Sequence, residues 1–245
     1  MTFKEWHQYF QSNRDHFDYI PWSGEPELDG FEEKLITRSI QQFQKGENSD
    51  GKHLMQLSEK MNDDYYTLSI KGLIQEEQNH AAALGQFMAQ EKIDTIGNHW
   101  LDTIFKRIIK TPSLEFTIMV LLAAELVATV YYKALRQATY SRTLKAICRQ
   151  ILVDEQMHIQ FQTSALQLFY LKHNSFGRFL FRNFYLAFML LTSYVIWFQY
   201  SNVLKKGGYS FTKCMYALLK EFAKAMRMII GKAPIAQPQN VNQTC

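Results

Sequence analysis

Asp154-Glu155-Gln156-Met157-His158 decides the reading of this chain, because a second copy stands upstream as Glu76-Glu77-Gln78-Asn79-His80. Each copy is an acidic pair followed by a histidine at i+3 from its second acid. On an α-helix, positions i and i+3 share a face, so Glu77 with His80, and Glu155 with His158, can grip one object together. Two further glutamates stand at matching distances. The interval from Glu47 to Glu77 equals that from Glu125 to Glu155. Turns are expected near Asn62 and Tyr140, each midway between the two members of its pair. At a rise of about 1.5 Å per residue, every glutamate then lies about 22 Å from its turn, level with its partner across an antiparallel hairpin. One constant interval also carries the first hairpin onto the second: Glu47 onto Glu125, Glu77 onto Glu155 and His80 onto His158. A repeat that occurs only twice is a pair of hairpins, not a solenoid.

Four carboxylates and two imidazoles suit a pair of hard-to-borderline cations in the core of a helix bundle, whereas zinc prefers a tetrahedral set. The candidate metal ligands are therefore Glu47, Glu77, His80, Glu125, Glu155 and His158. The expected cofactor is two iron ions, with manganese or a mixed manganese/iron pair as the alternative. A single Glu-x-x-His is usually a surface ion pair. Glu125 argues against that reading, because it follows the apolar run Met119-Val120-Leu121-Leu122-Ala123-Ala124, where an unpaired carboxylate is costly. Asp154 and Glu76 point about 100° away from the ligands on their helices and are left out of the ligand set. The outer nitrogens of His80 and His158 need acceptors, from neighbouring acids or from glutamates across the bundle. Asp50 and His53 share the i, i+3 form but have no partner at the hairpin interval. His7, His16, His99 and His173 are expected to face solvent or cap helices.

The chain has 245 residues, enough for one sizeable domain with additions, and 47% of them are hydrophobic, as in globular proteins. A net charge of +4 is too mild to argue for nucleic acid. The cysteines, Cys148, Cys214 and Cys245, show no paired spacing, which fits a reducing compartment and an expected cytoplasmic location. The first residues carry no apolar signal-peptide core.

In chain order, residues 1–28 read as a short amphipathic helix and a Pro-containing loop whose aromatics, Trp22 among them, pack on the bundle. Residues 29–173 read as the four bundle helices. The first, Asp29 to Met61, is expected to run on through Gly46 and Gly51, which bracket Glu47; the alternative is a break that ends the helix near Gly46. Asp63 and Asp64 cap the second, which runs to about Lys92. After a short helix from His99 to Lys110, Pro112 opens the third, which ends near Ala138. Thr139 or Ser141 caps the fourth, which ends near His173. Residues 174–230 form two further helices. The uncharged run Phe184–Tyr200 is expected to cover the bundle as a buried helix; contact with a membrane surface is the alternative. Residues 231–245 are polar and expected to be a disordered tail.

The set Glu47, Glu77-x-x-His80, Glu125, Asp154-Glu155-x-x-His158 resembles the ferritin-like di-iron carboxylate superfamily, over about Asp29 to His173. The resemblance implies an all-α four-helix bundle and a di-iron site on the six residues. It does not select a member, since the superfamily spans ferroxidases, peroxidases, desaturases, reductase subunits and oxygenases. Thr129, one turn beyond Glu125, resembles the threonine that di-iron monooxygenases place beside the oxygen-binding side. Its alternative role is a hydroxyl bonded to its own helix backbone. Reductase subunits carry a radical tyrosine at i+4 from the first histidine, and Leu84 stands there instead. The implied function is an O2-dependent di-iron oxidoreductase acting on a small organic substrate, apolar in the favoured form, with an electron donor still to be found. Such a protein is expected as a monomer or homodimer without nucleic acid. A ferroxidase and a non-catalytic helical metal-binding module are the alternatives.

Overall fold

The computed structural model describes residues 1–14, 16–97 and 100–231, less the side chains of residues 101, 102, 105 and 106. His99 and, apart from Gly231, the expected tail lie outside the described residues. Among these the structure is all-α, with no strand. The elements are α1 (Phe3–Ser12), α2 (Gly30–Glu47), α3 (Lys52–Ser58) with a 3-10 turn over Glu59–Met61, α4 (Asp64–Gln90), α5 (Trp100–Ile109), α6 (Leu114–Ala138), α7 (Arg142–Lys172), α8 (Ser175–Lys206) and α9 (Phe211–Ile230).

Helix starts follow their caps. Thr2 and Glu5 form a capping box on α1, and Asp29, Asp63, Ser113, Ser141, Asn174 and Ser210 each accept a backbone N–H of their helix. Ser113 therefore opens α6, so Pro112 precedes the helix instead of beginning it, and Ser141, not Thr139, caps α7.

The expected unbroken helix from Asp29 to Met61 is interrupted. α2 ends at Glu47, and the chain resumes as α3 after Asn48-Ser49-Asp50-Gly51. Gly51 has φ +59, and a Cβ there would lie 2.3 Å from Ile74 Cδ1. The glycine thus brings the chain close to α4, as a tight approach demands, but through a break in the helix.

Two packed pairs make the centre: α2 and α3 on α4, and α6 on α7, with α4 also against α7. The short link between α6 and α7 makes that pair antiparallel. Two hydrophobic clusters fill the interior, one around Ile36, Leu84, Tyr131 and Ile151, the other around Phe10, Tyr66, Leu122 and Phe161. The polar site lies among their residues. α1 crosses α4 where Gly72 leaves room for Phe10: an added Cβ would stand 2.5 Å from Phe10 Cβ. The loop after α1 is tied down by Glu27, which accepts from Ser141 and Thr143, and by Glu91, which accepts the N–H groups of Glu27 and Leu28. Trp22 packs against the core from this loop.

α8 departs from expectation. By length and composition α6 and α8 could each cross a membrane, but 78% of the α6 window is buried inside the protein against 22% for α8. Only one side of α8 packs on α6 and α9, so the run Phe184–Tyr200 is half cover and half surface.

Candidate metal centre

The six residues singled out by spacing come together in the core. Glu47, Glu77, His80 and Glu155 form one group, and Glu77, Glu125, Glu155 and His158 a second. In each, one ligand-type atom from every member lies within 4.8 Å of the others. Glu77 and Glu155 belong to both groups, one from each hairpin, so the two groups share a pair of carboxylates.

The local sequence explains which residues face one another. On α4 and α7 the i, i+3 pairs turn acid and imidazole inward together. On α6, Glu125 is buried within the apolar run, and Gln162 of α7 donates its Nε2–H to Glu125 Oε1 at 2.5 Å. Glu47, the last residue of α2, accepts the hydroxyl of Tyr132 at 2.7 Å. Tyr132 is not among the sequence candidates. Its signal is its place at i+7 from Glu125, two turns along the same face of α6.

Both imidazoles are held from outside. His80 Nε2 lies 3.1 Å from Asp154 Oδ2, and His158 Nε2 lies 2.8 Å from Glu76 Oε2. Each acid therefore serves the histidine of the opposite helix. That makes Nε2 the donor in each contact and turns Nδ1 of both rings inward, toward the ligand carboxylates. His80 Nδ1, His158 Nδ1, Glu77 Oε1 and both oxygens of Glu155 are buried with no hydrogen-bond partner among the described residues. His158 Nδ1 is 2.9 Å from Glu77 Oε1, though without hydrogen-bond geometry. Orphaned polar atoms gathered in one place are rare in folded proteins.

Electrostatics agrees. Burial, then the neighbouring Glu77, raises Glu47 well above the ordinary carboxylate range. Burial and then Glu125 do the same to Glu155. Burial also pushes Glu125 upward, but its contacts with His158 and Glu155 outweigh this and hold it low. For His158 burial works against the proton, and the contacts with Glu125, Glu76 and Glu77 prevail, raising it. This many carboxylates cannot all be ionised together in a dry core without cations or protons among them. The donor set fits two metal ions.

A support reaches in from the N-terminal segment. Asn13 donates from Nδ2 to Glu76 Oε1 at 2.8 Å and to Asp154 Oδ1 at 3.1 Å, binding the two outer acids together. His16 corrects the expectation that it faces solvent: its Nε2 lies 3.1 Å from Asp154 Oδ2, and its ring stands beside His80, 6.4 Å between centroids. His16, His80 and Asp154 also sit close enough to ligate an ion. The carboxylate there is already engaged by Asn13, Gln150 and His80, so the trio acts as support. His53 bonds the Thr111 carbonyl and His173 bonds Glu115, both away from the centre.

Thr129 is buried, and its Oγ1 has no hydrogen-bond partner among the described residues, so the backbone bond expected of the alternative role is not formed. It lines a cleft of about 100 Å³ between α6, α7 and α9, with Lys133, Gln156, Glu221 and Lys224 among its neighbours. Comparison of the chain with protein-family models, with curated proteins and with solved structures finds no match.

Proposed function

We propose that this protein is a ferritin-like di-iron oxidoreductase that uses O2 to oxidise or hydroxylate a small organic substrate. The observation that carries the reading is the pair of four-residue groups sharing Glu77 and Glu155. In this reading Glu47, Glu77, His80 and Glu155 would hold one ion, and Glu77, Glu125, Glu155 and His158 the other. Iron bound in such a pair supplies the electrons for O2 activation.

The remaining residues set the geometry. Asp154 and Glu76 fix the tautomer and tilt of the two imidazoles. Tyr132 and Gln162 each occupy one oxygen of Glu47 and Glu125, leaving the other oxygen to a metal. The apolar side chains of α6, among them Leu122 and Leu126, keep water from the centre. Thr129, one turn beyond Glu125 with an unpartnered hydroxyl, resembles the threonine of di-iron monooxygenases, and that resemblance favours substrate oxidation over simple oxidation of iron.

The test is anaerobic loading with Fe(II) followed by metal analysis and exposure to a limited amount of O2. Two ions per chain, oxidised once and restored only by a reductant, are expected. Absence of bound metal sinks the site. Continuous turnover of added Fe(II) without another substrate would make the protein a ferroxidase instead.

A further inference from the structure

α8 is apolar on two opposite sides. Phe181, Tyr185, Met189, Trp197 and Leu204 are buried against the bundle. Phe176, Leu180, Phe184, Leu191, Tyr194 and Phe198 are exposed, with Phe198 at 76% and Leu191 at 66%. Their steps of three, four and seven positions keep them in one row along the helix. An apolar strip of this length on the surface of a folded chain marks a contact with something.

Charge says what that something is. α8 contains no acidic residue, and from Asn183 to Leu204 it contains no charged residue at all. Arg178 and Arg182 stand near its start, Lys205 and Lys206 at its end. A second copy packed parallel along this face would set Lys205 and Lys206 against their own counterparts, with no acid on the helix to offset them. Residues 232–245 offer only Ile235 and Val241 as large apolar side chains, too few to cover the row. The helix does not fit a membrane span either, because its other side is already committed to α6 and α9. An apolar row that ends in Lys205 and Lys206, on a helix without acids, matches a bilayer surface with anionic headgroups, on which a helix lies flat.

We propose that the outward face of α8 docks this protein on anionic lipid membranes. Phe176, Leu180, Phe184, Leu191, Tyr194 and Phe198 enter the headgroup layer, while Lys205 and Lys206 meet lipid phosphates. Docking does not depend on the metal centre.

The test is flotation of the full chain with vesicles of phosphatidylcholine alone and of phosphatidylcholine mixed with phosphatidylglycerol. Binding to the mixed vesicles, weakened by salt, is expected. Lys205→Gln should lower that affinity about fivefold, as loss of one basic residue near the surface does. Leu191→Glu with Phe198→Glu should lower it at least about a hundredfold. Both side chains face solvent, so helix content and melting temperature serve to show that the variant is folded; Lys205→Gln tests the same face by a change too mild to unfold it. Wild-type protein that ignores the mixed vesicles overturns the proposal. So does binding that neither substitution weakens. A wild-type dimer that the paired glutamates split, with no vesicle binding, would assign the face to a second copy.

Discussion

His158 and Glu76 meet across the bundle, Nε2 to Oε2 at 2.8 Å, while His80 makes the reciprocal contact with Asp154 at 3.1 Å. Each helix thus lends the other the acid that orients its imidazole. Because the two contacts are symmetric in sense, they give matched predictions. Glu76→Gln and Asp154→Asn keep the side-chain shape and weaken the charge-assisted bond. Each should lower affinity for Fe(II) or Mn(II) by about 10–100-fold, the usual effect of removing such a partner. Anaerobic metal titration with a competing chelator measures it. Unchanged affinity in both variants would mean that the histidines are not ligands.

Asn13 extends the argument to the N-terminal segment, since its amide bridges both outer acids. Asn13→Ala leaves two buried acceptors short of a donor, a loss of about 1–3 kcal/mol. The variant should melt lower, and its metal affinity should fall less than in Asp154→Asn, because the imidazole contacts survive. Thermal melting alongside the same titration separates the two effects.

The metal-free protein should have a distinctive pH profile. Glu47, Glu155 and His158 are raised on folding, so the folded chain holds more protons than the unfolded one above their ordinary values of 4.5 and 6.5. Their stabilising effect is present at low pH and is lost as pH rises through the raised values. Glu125 and Asp154 are lowered, so their contribution is present above 4.5 and 3.8 and is lost as pH falls. Stability should therefore peak in mildly acidic buffer and decline toward alkaline pH. Added metal replaces the protons and should raise stability most on the alkaline side, by about 4 kcal/mol at a thousandfold excess over Kd. Denaturant unfolding across pH, with and without Mn(II), tests both halves. A metal-free curve that rises steadily into alkaline pH would contradict the raised groups.

The six candidate ligands are legible in the sequence because chemistry and helical spacing point the same way. What stays hidden requires three dimensions. Acids across the bundle are among the acceptors expected for the imidazoles, but that Asp154 serves His80 and Glu76 serves His158 is settled between helices and follows no i, i+3 rule. The hint is that both repeat copies carry an acid at the same place. His16 escapes a spacing argument because its acid, Asp154, is remote in sequence and is reached only once α1 has docked on α4. Gly51 shows the opposite limit. Its presence near Glu47 signals a close approach, yet whether the helix bends or breaks there depends on Ile74. In α8, composition alone does not tell a helix apolar because it is buried from one apolar on a free side.

Gly51→Ala tests that close approach. A Cβ would meet Ile74 at 2.3 Å, and φ +59 disfavours any L-residue. The change should destabilise by more than the usual value of about 1 kcal/mol for alanine in a left-handed position. Since the break directly follows Glu47, metal affinity should fall with it. A stable variant that binds metal normally would show that the Asn48–Gly51 link does not position Glu47.

Thr129 supplies the last test, because a buried hydroxyl without a partner is a liability unless the reaction uses it. Thr129→Val keeps the shape and removes the orphan oxygen. Metal-free stability should hold or rise by about 1 kcal/mol, since no hydrogen bond is lost and a desolvated polar group is removed. Metal content should be that of the wild type, as Thr129 belongs to neither ligand group. The reaction of the reduced, iron-loaded protein with O2 should nonetheless change in rate or in its absorbance trace. Stopped-flow mixing of both proteins with oxygenated buffer makes the comparison. Gain in stability with altered oxygen kinetics assigns the hydroxyl to the chemistry; gain in stability with identical traces removes the residue that favours substrate oxidation over ferroxidase activity.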